Sequence, residues 1–141
     1  MTGHLVFGTL HTMNAMKTVD RIIEIFPANQ QGQVRSTLAD ALKAVVSQTL
    51  FKRVDVKGRV AALEILICTP AVRNLIREAK TYQIPSIMQT GKKYGMQTID
   101  DAIMELLEKK KISAEDAYTN SIEKQRFVKF LRKPPVDFTE V

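Results

Sequence analysis

Apolar positions along the chain keep two different rhythms. Residues 5–10 are apolar or small at nearly every place, which predicts a short strand covered on both faces, as in a parallel sheet. Met16, Val19, Ile22, Ile23 and Phe26 then recur at helical spacing, and Pro27 ends the helix they predict. Val34, Leu38, Leu42, Val45 and Val46 fall on one stripe, so a second helix is expected over residues 29–50. Lys57-Gly58 marks a turn, and residues 59–67, an apolar run broken by Glu64, read as a strand ending at Cys68. This order is that of a piece of α/β architecture, since two strands cannot form a sheet that buries both of its faces.

From Thr69 onward the rhythm is helical throughout. Thr69-Pro70 predicts an N-cap followed by proline in the first turn, with Val72, Leu75 and Ile76 on the apolar side of a short helix. A brief segment over residues 84–89 precedes a turn between Gly91 and Gly95. Thr98, with Asp101 three places on, predicts a capping box for a helix that turns Ile99, Ala102, Ile103, Leu106 and Leu107 inward. Ser113 and Asp116 repeat the arrangement for a helix through Tyr118. A last helix is expected over residues 123–131, before Pro134-Pro135 ends regular structure and leaves a loose tail.

Composition narrows the classes. With 141 residues, 45% apolar and 26% charged, the chain has the make-up of one globular unit. No apolar run reaches the roughly 18 residues of a transmembrane span, and no signal-peptide pattern opens the chain, so a soluble, cytoplasmic protein is expected. A single cysteine, Cys68, excludes an internal disulfide, and one cysteine with two histidines assembles no metal-ligand spacing. Cys68 reads as a small buried apolar residue. The net charge of +6 raises nucleic acid as a partner, but it is spread evenly: eight Lys/Arg against five Asp/Glu in residues 1–67, thirteen against ten in residues 68–141. The run Lys109 to Lys111 stands where a helix should end, where cations favour the dipole, so no nucleic-acid partner is expected.

Two constellations could carry chemistry. His4 and His11 stand at opposite ends of the strand predicted over residues 5–10. His11 and Thr12 lie just past its C-terminal end, where open α/β sheets place ligands, whereas His4 cannot share that position. No phosphate loop of the form G-x-x-x-x-G-K-[ST] accompanies them, and no acidic Walker-B strand is visible, so any nucleotide chemistry they serve has its main parts outside this sequence. In the second constellation, Arg73 and Arg77 are one helical turn apart and project from one side, with Asn74 and Glu78 beside them. Spacing alone makes this a solvated face with an internal ion pair.

The segments "TGHLVFGTLHT", "KTVDRIIEIFP", "QVRSTLADALKAVVSQTL", "GRVAALEIL", "TPAVRNLIRE", "QIPSIMQTG" and "GMQTIDDAI" resemble, in order, the histidine box and C-terminal region of the type IV pilus retraction ATPases of the PilT family. The resemblance runs over residues 2–118. "AVRNLIRE" is similar to the segment that sets retraction motors apart from assembly and type II secretion ATPases. Met1 stands where the family usually has an acidic residue, Met13-Asn14 replaces an asparagine-led pair, and "VDVKGRV" replaces a glycine-rich turn.

The resemblance implies an α/β plus all-α fold. Residues 1–68 would be the last part of a RecA-like P-loop NTPase core, residues 69–132 a C-terminal helical domain, and residues 133–141 a flexible tail. It implies that His11 senses the γ-phosphate with Thr12 at the nucleotide, and that Arg73, Asn74, Arg77 and Glu78 form a retraction motif. Arg21 and Arg35, which match family positions, would be intersubunit or core ion-pair residues. ATP and Mg2+ would be cofactors of the full-length motor, and this chain, lacking the phosphate loop and metal ligands, is expected to be inactive alone. The implied partners are five further copies in a homohexamer and an inner-membrane pilus platform protein, on the cytoplasmic side of the pilus base, without membrane insertion. The competing expectations are a stand-alone helical interaction module and a fragment of a sister secretion or pilus-assembly ATPase.

Overall fold

A computed structural model describes residues 3–133. Its first helix, α1 (Ala15–Glu24), is capped by Asn14, whose side chain accepts a hydrogen bond from the Lys17 amide and so satisfies one of the amides a helix start leaves without a partner. Pro27 separates it from α2 (Ala28–Ala41). The helix expected over residues 29–50 ends there: Leu42 turns to extended backbone, and Ala44–Lys52 is a strand, β1. Val45 and Val46 fit the stripe of Val34, Leu38 and Leu42 only because three or four residues also span one helical turn. The period-2 pattern wins because Val45, Ser47 and Phe51 are buried against an antiparallel partner, β2 (Arg59–Ile67). The hairpin pairs Ala44 with Ile67 at one end and Lys52 with Arg59 at the other, closing through Gly58 at φ 130°.

The strand expected over residues 5–10 is a correction as well. Those residues form no strand among the described elements, and Leu5, Val6 and Phe7 are 79, 80 and 89% exposed. A strand needs neighbours, and no described element offers this segment an edge or a covering face.

The helical second half follows its sequence closely. Helix α3 (Pro70–Arg77) begins at Pro70, although the Thr69 side chain caps no amide, and α4 (Ile84–Gln89) follows a 3-10 turn at Thr81–Gln83. Another 3-10 turn, Lys92–Tyr94, ends at Gly95 with φ 89°, which glycine tolerates without a Cβ clash. Helix α5 (Ile99–Glu108) is capped by Thr98 and α6 (Ala114–Asn120) by Ser113, each hydroxyl accepting from the amide three residues on. Asp101 does not complete a capping box; its carboxylate instead takes a 2.9 Å bond from Arg126. Where one helix is expected over residues 123–131, two 3-10 turns stand, Lys124–Arg126 and Val128–Phe130. They place Phe127, fully buried, against α5. The loose tail expected after Lys133 lies outside the described residues.

Two apolar clusters hold these parts together. Val19, Ile23, Leu66, Val72, Ile76, Ile84 and Met88 belong to one, Phe51, Ala62, Ile99, Ile103, Ala117 and Phe127 to the other. Both combine residues from either side of position 68, so within the described residues the hairpin and the helices that follow it share their cores. Gln97 adds a further link: its backbone exchanges hydrogen bonds of 2.8 and 3.0 Å with Ile65, and its side-chain amide donates to the Leu63 carbonyl at 2.7 Å. Among the described residues no helix is long and apolar enough to cross a membrane.

Candidate functional site

The segment leading into α1 is held by a chain of hydroxyls and amides. Thr18 donates its hydroxyl proton to the Asn14 carbonyl at 2.9 Å, so the hydroxyl of Thr12, which hydrogen-bonds to Thr18, is the donor in that pair. Thr12 is half-buried and fixed by this contact, while His11 beside it is exposed, with no hydrogen bond among the described residues. An exposed imidazole next to an anchored threonine is free to meet a ligand from outside. His4 is exposed as well.

Glu64, which interrupts an apolar run in the sequence, is the residue that sequence reasoning missed. It is 5% exposed and lies between Leu66 and Ala62 on the inward face of β2. One carboxylate oxygen accepts the Ala15 amide at 2.8 Å and the other accepts the Ile99 amide at 2.9 Å. Ala15 and Ile99 are the first residues of α1 and α5, so a single anion neutralises amide dipoles at two helix starts. Asp100 does a related job nearby: 4% exposed, it accepts the amides of Ile122 and Glu123, both at 2.8 Å, and ties the segment after α6 to α5. Asn14, Glu64, Asp100 and Ile122 line a cavity of about 110 Å³ between these helix starts. The signal for Glu64 was present in the sequence as a charged residue between apolar neighbours, whereas Asp100, followed by Asp101, carried no such mark.

The second constellation does not form the single guanidinium face that spacing suggests. Arg73 is half-buried and turns back, its Nε donating to the Cys68 carbonyl at 3.1 Å. Arg77 points across to α2, pairing with Asp40 and donating to Asn74 Oδ1 at 3.0 Å. The ion pair is therefore between helices rather than internal to α3. Glu78 pairs with Lys80 at 3.3 Å. The helix closes with Ala79 in the left-handed region at φ 58°, where the Lys80 amide reaches the Leu75 carbonyl at 2.8 Å and the Ala79 amide the Ile76 carbonyl at 3.3 Å, a Schellman closure built without glycine. Nothing joins this group to His11 and Thr12 by hydrogen bond or ion pair among the described residues. Arg21 is exposed and Arg35 half-buried, and neither pairs with a carboxylate among the described residues, so the core ion-pair alternative for them is not met.

Cys68 is buried at the end of β2, as its type predicts. Loss of water pushes its thiol up to about 11, against the opposing pull of Arg73 and Lys43. A thiol held neutral there is no nucleophile. Among the described residues no group of three His, Cys, Asp or Glu side chains could hold a metal ion. Lys109, at the end of α5, pairs with Glu105 at 2.7 Å, and the hydrogen bond it donates, with its positive charge, holds the Glu105 carboxyl below the usual carboxylate range. The basic run is a helix end, as its position suggests.

Comparisons with known proteins agree with this geometry. The family profile of "Type II/IV secretion system protein" matches residues 1–57. A "Twitching motility protein" of Neisseria gonorrhoeae is 57% identical over 116 residues, which is 82% of this chain and 31% of that protein. The "Type IV pilus retractation ATPase PilT" of Pseudomonas aeruginosa is 55% identical over 116 residues, 82% of this chain and 33% of its own length. Among solved structures, "Crystal Structure of the Pilus Retraction Motor PilT and Bound ADP" superposes with a TM-score of 0.78 at 44% identity, covering 89% of this chain and 34% of that one. The chain thus spans about a third of the length of the curated relatives it matches, and its α/β plus all-α fold is that of the matching region of the motor.

Proposed function

We propose that the chain belongs to the type IV pilus retraction ATPases and is the part of such a motor that carries the phosphate-sensing segment and the helices that pass its motion on. The observation that carries this reading is the joint match to two twitching and retraction proteins at 57 and 55% identity across 82% of the chain. In the reading, the motor works as a homohexamer that hydrolyses ATP and withdraws pilin at the inner face of the inner membrane, against a membrane-embedded platform protein. Residues 1–68 complete the RecA-like core and residues 69–132 form the helical domain.

The residues of this chain fit a nucleotide only in part. His11 can meet a terminal phosphate through its imidazole, beside Thr12, whose hydroxyl proton is given to Thr18, but no phosphate loop is present and no described cluster could ligate Mg2+. ATP and Mg2+ are then held chiefly by parts of the motor outside this sequence, where they supply the phosphoryl-transfer chemistry. Hydrogen bonding from His11 to developing charge is what this chain would add. Arg73, Asn74, Arg77 and Glu78 act in transmission, Arg77 by holding α3 to α2 and Arg73 by bracing the exit of β2. Arg21 and Arg35, without carboxylate partners among the described residues, are free to meet a neighbouring subunit.

The test is a chimaera in which this chain replaces the matching 116-residue span of the gonococcal twitching motility protein. Restored twitching, lost again with His11→Ala while the hexamer persists, is the expected result. A soluble, folded chimaera that hydrolyses no ATP and supports no twitching would overturn the reading.

A further inference from the structure

We propose that Glu64 is a positioning residue of the motor, a two-armed tie that fixes the His11–Thr12 segment against the start of α5 and makes the two move as one. This rests on the reading of His11 and Thr12 as the phosphate-sensing segment. The grounds are geometric. A strand position flanked by buried Ala62 and Leu66 ordinarily takes an apolar side chain, and a carboxylate there is a costly placement unless both oxygens are satisfied. Both are, and each by a different helix: Oε1 by the Ala15 amide at 2.8 Å and Oε2 by the Ile99 amide at 2.9 Å. Ala15 lies 49 residues before Glu64 in sequence and Ile99 35 after it, so the tie joins parts of the chain that no local contact would hold together.

Ala15 is three residues beyond Thr12, with the Thr12–Thr18 hydroxyl pair and the Asn14 cap between them. A shift of the sensing segment therefore draws directly on the Ala15 amide. At the other arm, Ile99 begins the helix whose neighbour Asp100 anchors the Ile122 and Glu123 amides. The cavity of about 110 Å³ lies beside the carboxylate between the two helix starts, and Glu64 is the side chain that hydrogen-bonds to both of them.

Glutamine at position 64 keeps the volume but cuts one arm. Its carbonyl oxygen can accept one amide, while its NH2 group faces the other amide donor to donor. In the functional chimaera, Glu64→Gln should lower kcat for ATP hydrolysis by about 10- to 100-fold with KM changed by less than about twofold, the signature of misplacement rather than lost ground-state binding. Leu66→Ala serves as the control, because it weakens the same strand by opening a cavity and leaves the tie whole; its kcat should stay within about threefold of the parent.

Hydrogen exchange gives a second reading. ADP should alter protection over residues 12–18 and over residues 99–102 in the parent, and over the first segment alone in Glu64→Gln. Should Glu64→Gln fail to fold, Ile99→Pro is compared with Ile99→Ala. Proline is tolerated at a first helical position and removes only the amide proton beyond what alanine removes in side chain, so kcat should fall in the proline variant alone. Equal losses in Glu64→Gln and Leu66→Ala, or in Ile99→Pro and Ile99→Ala, would reduce Glu64 to a structural residue. An ADP response over residues 12–18 with none over residues 99–102 in the parent would overturn the tie and leave the sensing segment standing. The absence of a response over residues 12–18 would remove the sensing reading itself, and the tie with it.

Discussion

Asp100 offers a measurement of how much one buried carboxylate contributes to the second half of the fold. Replacing it with asparagine preserves size and one acceptor, so the Ile122 or the Glu123 amide keeps its partner while the other meets an NH2 donor. The loss is one charge-assisted hydrogen bond, about 1.5–3 kcal/mol, plus the favourable placement of an anion in the first turn of α5, about 0.3–1 kcal/mol. Together these predict a destabilisation of about 2–4 kcal/mol, a large share of the roughly 5–15 kcal/mol available to a domain. With a urea m-value of about 1–3 kcal/mol/M, the unfolding midpoint should fall by about 1–2 M. Asp100→Ala should cost little more, because the freed segment can lift away and let water reach both amides. Urea titration read by far-UV circular dichroism, with amide exchange over residues 121–127 as a local probe, measures both. An unfolding free energy for Asp100→Asn within about 0.5 kcal/mol of the parent would refute the reasoning, since that is the spread of indifferent surface substitutions.

Three further outcomes follow from the same geometry. The Cys68 thiol has a folded pKa of about 11, raised from 9.0, so the folded chain holds its proton more tightly than the unfolded one: the contribution is complete below pH 9 and is lost as pH rises through 11. The parent should therefore lose roughly 2–3 kcal/mol relative to Cys68→Ala across that window, and parallel melting curves for the two would contradict it. Ala79→Gly and Lys110→Gly each place glycine at a left-handed helix close, φ 58° and 56°, and should raise stability by about 0.5–1 kcal/mol; a lower melting temperature for both would count against the strain argument. A double-mutant cycle on Arg77 and Asp40, 41 and 62% exposed, should give a coupling of only about 0.2–1 kcal/mol, so that loss of twitching in Arg77→Ala cannot be put down to unfolding unless the cycle returns several times that value.

The helices after Thr69 were legible because their ends are written locally. Thr98 and Ser113 each fix a start by accepting the amide three residues on, Pro70 opens α3 with backbone suited to a first turn, and the Gly91–Gly95 turn follows α4. The boundary between α2 and β1 was not legible, because Val45 and Val46 satisfy both rhythms and only the cross-strand partners Leu66 and Ile65 decide between them. Residues 5–10 carry the composition of a strand, but strand formation depends on an edge elsewhere, which no local pattern encodes. The candidate site divides in the same way. His11 was singled out by its place past a strand over residues 5–10 that the structure does not form, and the partners of Arg73 and Arg77 lie outside α3 and could not be read from helical spacing. Glu64 was visible as an anomaly, but its two amides come from sequence neighbourhoods on either side of it.

Among the described residues, Gln97 gives the hairpin one sealed border and one open one. Its backbone occupies the outer side of β2 at Ile65 and its side chain takes the Leu63 carbonyl, so an incoming strand finds the middle of that border already in use. Strand addition is then confined to the β1 side, where Val46 and Leu50 also leave the sheet face 62 and 53% exposed. Two copies that met there would bury both open borders and turn only Gln97-blocked ones outward, which is the arrangement of a closed two-fold pair. A single residue, through its backbone and its amide side chain, thereby separates pairing at one border from growth into open-ended fibres.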